Sequence, residues 1–104
     1  MKKLVLIAGA FLALSTFAWA AEMTMTGTVS DSHCGAKHAE ASDAATGCVN
    51  SCVKGGAKYV LVSDGKVYEL DAQDKFASLG GKSVKVTGEL KGMAIAVASV
   101  EAAK

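Results

Sequence analysis

The chain contains no arginine: its eleven basic residues are all lysine, set against ten acidic residues. The guanidinium fork that grips phosphate in two places is therefore missing, and the lysines are scattered rather than gathered into a stripe. Aromatic residues are also few. Past the first twenty positions only Tyr59, Tyr68 and Phe76 remain, too few for a base-stacking platform. Both absences argue against nucleic acid as a partner. Cys-x-x-Cys does not occur, which removes a thioredoxin-like active site, and without Cys-x-x-Cys-His covalent c-type haem is not indicated. Gly55-Gly56 and Gly80-Gly81 read as helix stops, because neither has the strand-to-helix context of a phosphate loop. Cys34 and His38 could form a nucleophilic pair, but nothing around them suggests a substrate cleft. No catalytic residue is assigned, and the reading leans away from an enzyme.

The N-terminus is distinctive. Lys2 and Lys3 precede an apolar run from Leu4 to Phe17, and Ala18-Trp19-Ala20 supplies the small-x-small pattern of a cleavage site. The run is short of the roughly 20 residues that a membrane span requires. Residues 1–20 are expected to be a signal peptide cleaved after Ala20, which sends residues 21–104 to the periplasm or the medium as one domain with no membrane span. No cysteine directly follows the cleavage point, so no lipid anchor is expected. Removing Lys2 and Lys3 leaves nine lysines against ten acids. A domain this small buries little apolar surface, and a disulfide or metal would add stability.

The remaining chain alternates in short periods. Glu22 to Ser30 places Met23, Met25, Gly27 and Val29 on one face and Thr24, Thr26, Thr28 and Ser30 on the other, predicting a strand with a threonine-rich outer face. Met23 and Met25 could bind soft copper but read better as core side chains. Thr46 to Lys54 predicts a short helix starting near Asp43 or Thr46 and ending at Gly55-Gly56. On it, Cys48, Val49, Cys52 and Val53 form one stripe. Strands are predicted over Lys58 to Ser63 and Lys66 to Leu70, joined by the hairpin signal Asp64-Gly65. A short helix over Asp71 to Leu79, capped by Asp71, leads to strands over Ser83 to Leu90 and Met93 to Val100.

This order is mainly β. It matches a small five-stranded OB-like barrel with a Cys/His-containing helical insertion after strand 1 and a short helix between strands 3 and 4. The competing arrangement is an open α+β sheet with one helix at each end. The barrel is preferred because it leaves fewer exposed edges. Thr26-Gly27-Thr28-Val29 also echoes Thr87-Gly88-Glu89-Leu90, in two strands that would each bend around a small barrel.

All three cysteines and both histidines fall between Gly27 and Gly56. Thr26 to His38 carries Gly-Thr-Val-Ser-Asp-Ser-His-Cys-Gly-Ala-Lys-His, and Cys48 to Val62 carries Cys-Val-Asn-Ser-Cys running into a strand. These stretches resemble a family of small secreted bacterial proteins of unknown function, with a Gly-x-(Val/Ile)-Ser-Asp-x-x-Cys-Gly-x-x-His segment followed by a paired-cysteine segment. The resemblance implies export and a shared role for Cys34, His38, Cys48 and Cys52, and brings no established activity. The element order also resembles exported bacterial OB-fold proteins.

Cys34-x3-His38 and Cys48-x3-Cys52 each set two side chains four residues apart, on one face if helical. Facing each other, the pairs offer Cys34, His38, Cys48 and Cys52 as ligands for Zn(II), or for Cu(I) using fewer of them. His33 could replace His38 but, being adjacent to Cys34, would point elsewhere. The alternative is a disulfide from Cys34 to Cys48 or Cys52. That would tie down a non-catalytic binding module whose partner is an envelope protein met through the barrel face. A thiol redox role is a third reading. Spacing alone leaves metal and disulfide both open.

Overall fold

The computed structural model describes residues 22–103, so the expected signal peptide lies outside the described residues. Five strands, β1 (Glu22–Asp31), β2 (Tyr59–Ser63), β3 (Lys66–Leu70), β4 (Ser83–Lys91) and β5 (Ala94–Ala102), close into a barrel in the order β1-β2-β3-β5-β4. This is a small OB-like barrel rather than the open sheet. Its insertion between β1 and β2 holds a 3₁₀ turn (Gly35–His38) and a helix, α1 (Asp43–Lys54). Among the described residues no helix is long and apolar enough to cross a membrane.

The strands form where alternating apolar residues meet turn chemistry. Asp64 and Gly65 both have positive φ (52° and 77°), the conformation that reverses a two-residue hairpin without splaying its strands. β1 pairs with β4 from Glu22↔Glu89 to Thr28↔Ser83, then passes to β2 from Thr28↔Val62 to Asp31↔Tyr59. Such a transfer requires the strand to bend, and Gly27 sits at the bend. A Cβ there would lie 2.3 Å from the Val62 carbonyl oxygen. Gly88 repeats the device on β4, where the register with β5 shifts and a Cβ would lie 2.3 Å from the Ala96 carbonyl oxygen. The two halves of the sequence echo are thus neighbours doing the same job. Closure rests on a short parallel seam, Glu69↔Ala94 and Leu70↔Ile95.

The core gathers Val29, Leu61, Val84, Val86 and Ile95 from the strands, Val49 from α1, and Phe76. Phe76 comes from a single 3₁₀ turn (Gln73–Phe76), not from the short helix expected over Asp71 to Leu79. The flanking polar residues explain the difference. Asp71 accepts a hydrogen bond from the Val97 backbone instead of capping a helix. Gln73 accepts from the Tyr59 N–H and donates to the Tyr59 and Leu70 carbonyls, acting as a strand partner for the open side of β2.

Two further expectations are corrected. Met23 is exposed rather than core, while Met25 packs against the core from a half-buried position. The threonine-rich face of β1 is outward only at its start, because Thr28 and Ser30 are buried beneath the insertion. Thr28 donates to the Ala39 carbonyl (3.1 Å) and Ser30 to the Gly35 carbonyl (2.8 Å), so this face anchors the segment that follows it.

Candidate metal centre

Where β1 ends, Asp31 turns the chain. Its side chain is fully buried, and Oδ1 accepts from the backbone N–H groups of His33 (2.9 Å) and Cys34 (2.8 Å). This local side-chain-to-backbone turn holds Cys34 directly beyond the barrel rim. Cys34 then precedes the 3₁₀ turn that ends at His38, and its carbonyl accepts from Lys37 N–H. The Cys34–His38 arm is therefore a tight turn rather than an α-helix.

The second arm is α-helical. Ser42 caps α1 by accepting from Ala45 N–H at 2.9 Å, one turn earlier than a start at Thr46. At the other end Gly56 N–H reaches the Val53 carbonyl and Ala57 N–H the Cys52 carbonyl, the paired bonds of a Schellman stop. Ala45 and Val49 are buried and Val53 packs on the core, leaving Cys48 exposed and Cys52 half-buried beside them. The stripe expected on this helix thus splits: its valines hold the barrel and its cysteines face the first arm.

Gly80 and Gly81, expected to be a helix stop, are the seat on which α1 rests. Gly81 has φ +74°, and a Cβ there would lie 2.2 Å from Thr46 N. Its N–H bonds to the Val29 carbonyl and its carbonyl accepts from Ser42 N–H, joining β1 to the helix start. No residue with a side chain fits this junction.

Two groups of ligand atoms result. Cys34, His38 and Cys48 place theirs within 4.8 Å of one another, and Asp31, Cys34 and Cys52 do the same. Cys34 belongs to both. Cys48 and Cys52 do not share a group, so they flank Cys34 rather than converging with it on one point. His33 is exposed and joins neither group. Asp31 is the candidate ligand that sequence reasoning missed. It reads as turn chemistry, and its only signal is its place three residues before Cys34.

Two polar atoms in these groups are buried without a hydrogen-bond partner: His38 Nε2 and Asp31 Oδ2. Buried polar atoms are normally paired, so each calls for a partner of another kind. Burial raises the Cys34 thiol pKa, as do the Asp31 carboxylate and Cys48, while contact with Cys52 opposes the rise. The Cys52 thiol is pushed up to about 11 by burial, then by Asp31 and the neighbouring cysteines. Among the described residues no positive side chain offsets these influences. Without a cation, Cys34 and Cys52 therefore favour the protonated form at neutral pH.

All three cysteines are free thiols. The disulfide left open by spacing is not formed, since the sulfurs stand beyond bonding distance. One helical turn separates Cys48 from Cys52, and each shares a ligand group with Cys34 but not with the other.

Residues 53–103 match a family described as a protein of unknown function (DUF5818). The matched span opens immediately after Cys52 and covers β2 to β5. It agrees with the resemblance to an uncharacterised family, and it covers four of the five barrel strands but neither β1 nor the two cysteine arms. No curated protein matches the chain, and no solved structure does.

Proposed function

We propose that this is a small exported barrel that binds a soft or borderline metal ion, Zn(II) or Cu(I), through Cys34, His38 and Cys48, with Cys52 as the fourth candidate ligand. The observation that carries the reading is the convergence of the first three ligand atoms within 4.8 Å. A tetrahedral zinc with sulfur about 2.3 Å away spaces its ligands roughly 3.8 Å apart, so only a small contraction is required. The buried, unpartnered His38 Nε2 supports it, because an imidazole nitrogen with no proton partner is suited to a metal. Sulfur and imidazole suit Zn(II) and Cu(I) better than magnesium or calcium, which favour oxygen.

Cys48 is exposed, and an open recess borders it and His38. Solvent access of this kind favours an ion that can be exchanged, for sensing or carriage, over one sealed in for structure alone.

Elemental analysis of protein isolated from the periplasm tests the proposal, with Cys48→Ser alongside. Bound zinc or copper is expected in the native protein, together with at least a tenfold loss of affinity in the variant. Alkylation of fresh, unreduced material should find three thiols that react fully only after chelation. Metal-free protein that ignores added Zn(II) and Cu(I) overturns the reading. So does one free thiol beside a disulfide.

A further inference from the structure

The first ion leaves an unexplained group behind. Asp31 Oδ2 is fully buried and has no hydrogen-bond partner, and the Asp31 carboxylate belongs to the ligand group completed by Cys34 and Cys52. An isolated buried carboxylate oxygen is costly, and its partner atom Oδ1 already holds two backbone N–H groups. An ion seated by Cys34, His38 and Cys48 does not relieve it, since Asp31 is outside that group.

We propose that Asp31, Cys34 and Cys52 form a second metal site, for a divalent ion of the zinc type, and that Cys34 Sγ bridges the two ions. The inference rests on the metal reading above and moves Cys52 from the first ion to the second. Charge balance supports a pair over a single ion. With both ions bound, three thiolates and one carboxylate carry four negative charges, and among the described residues no positive side chain acts on Cys34 or Cys52. One divalent ion on Cys34, His38 and Cys48 leaves Cys52 protonated and one negative charge unbalanced beside the buried Asp31 carboxylate; two divalent ions draw off the Cys52 proton and neutralise all four charges. Cys34 is the only residue common to both groups, and a thiolate has lone pairs for two metals.

The ligand types also sort the ions. His38 with two cysteines accepts either Zn(II) or Cu(I). A carboxylate oxygen is a hard donor that suits Zn(II) and disfavours Cu(I). Asp31 thus makes the second site the zinc-selective one.

Native mass spectrometry of the purified, reduced protein titrated with Zn(II) alone tests the inference. Two ions per chain are expected for the wild type, one for Asp31→Asn and for Cys52→Ser, and none retained by Cys34→Ser. Circular dichroism of each apo variant establishes that it remains folded. A second readout needs no variant: in the Co(II)-loaded protein, the second equivalent should weaken the paramagnetic signal of the first through the shared sulfur. A wild type that takes one Zn(II), lost in Cys48→Ser and unaffected by Asp31→Asn, overturns the second site and leaves the first standing. Two ions without magnetic coupling overturn the bridge. A wild type that takes no metal overturns both readings.

Discussion

From β2 to β5 the chain is held by apolar burial and strand ladders. Leu61, Phe76, Val84 and Val86 are almost wholly removed from water, and antiparallel registers run nearly the full length of β4. From Ser32 to Lys58 the material is different. Only Ala45 and Val49 are buried there, and the segment is tied down by polar anchors: Asp31 to the His33 and Cys34 backbone, Ser30 to Gly35, Thr28 to Ala39, and Ser42 to Gly81. The apolar burial and β4 ladders of the first kind involve none of the candidate metal ligands. A segment of the second kind is positioned by the barrel and brings the candidate thiol, imidazole and carboxylate ligands together. The span matched to DUF5818 falls almost wholly on the first kind, so the likeness speaks for the scaffold and not for the metal chemistry.

The sharpest way to break the contrast is through the core. Phe76→Ala should cost about 3–5 kcal/mol, enough to threaten a domain this small, and it should take the candidate metal site down with the barrel. Denaturant unfolding read by circular dichroism checks it. A loss below 1 kcal/mol would mean that the barrel does not rest on this residue.

Gly81→Ala addresses the junction instead. Forcing a side chain into left-handed backbone costs roughly 1–2 kcal/mol, and here the new Cβ also meets the α1 backbone. Hydrogen exchange should show α1 losing protection while β2 to β4 keep theirs, with weaker Zn(II) binding. Uniform loss across the molecule would show that barrel and segment open as one unit.

The smallest effect is one of pH, in metal-free protein. The Cys52 thiol is raised from 9.0 to about 11, so the folded state holds its proton more tightly than the unfolded state does. That contribution to stability is complete below the ordinary thiol value and is lost as pH climbs from about 9 towards about 11. The midpoint of unfolding should fall over that window in the wild type and fall less in Cys52→Ser. Alkylation of Cys52 should also accelerate later in pH than alkylation of an unfolded thiol. Equal pH profiles for the two proteins would remove the burial and carboxylate influence on Cys52.

Much of the scaffold was legible because its signals are local. Strand alternation, Asp64-Gly65 and Gly55-Gly56 each depend on neighbouring residues, and β3 fell where its pattern placed it. The helix between β3 and β4 was misread for a nonlocal reason. Asp71 and Gln73 bond to β5 and β2, elements that a window on the sequence does not contain. The candidate ligands were legible as a set, since residue type and proximity in sequence suffice to name Cys34, His38, Cys48 and Cys52. Their grouping was not, and nothing local marks Asp31 as a candidate ligand, because its Oδ1 serves the backbone turn ahead of Cys34.

The sequence by itself therefore determined an alternating barrel and a concentration of thiols and imidazoles in one insertion, since periodicity and composition are properties of adjacent residues. Only the tertiary structure decided that Cys34 stands between two ligand groups, that Thr28 and Ser30 are anchors rather than surface, and that Gly81 is the seat of α1. The physical reason is closure. Gly81 meets Ser42 and Val29, and Asp31 meets Cys52, only when the ring of strands brings distant backbone together at a separation that no local pattern encodes.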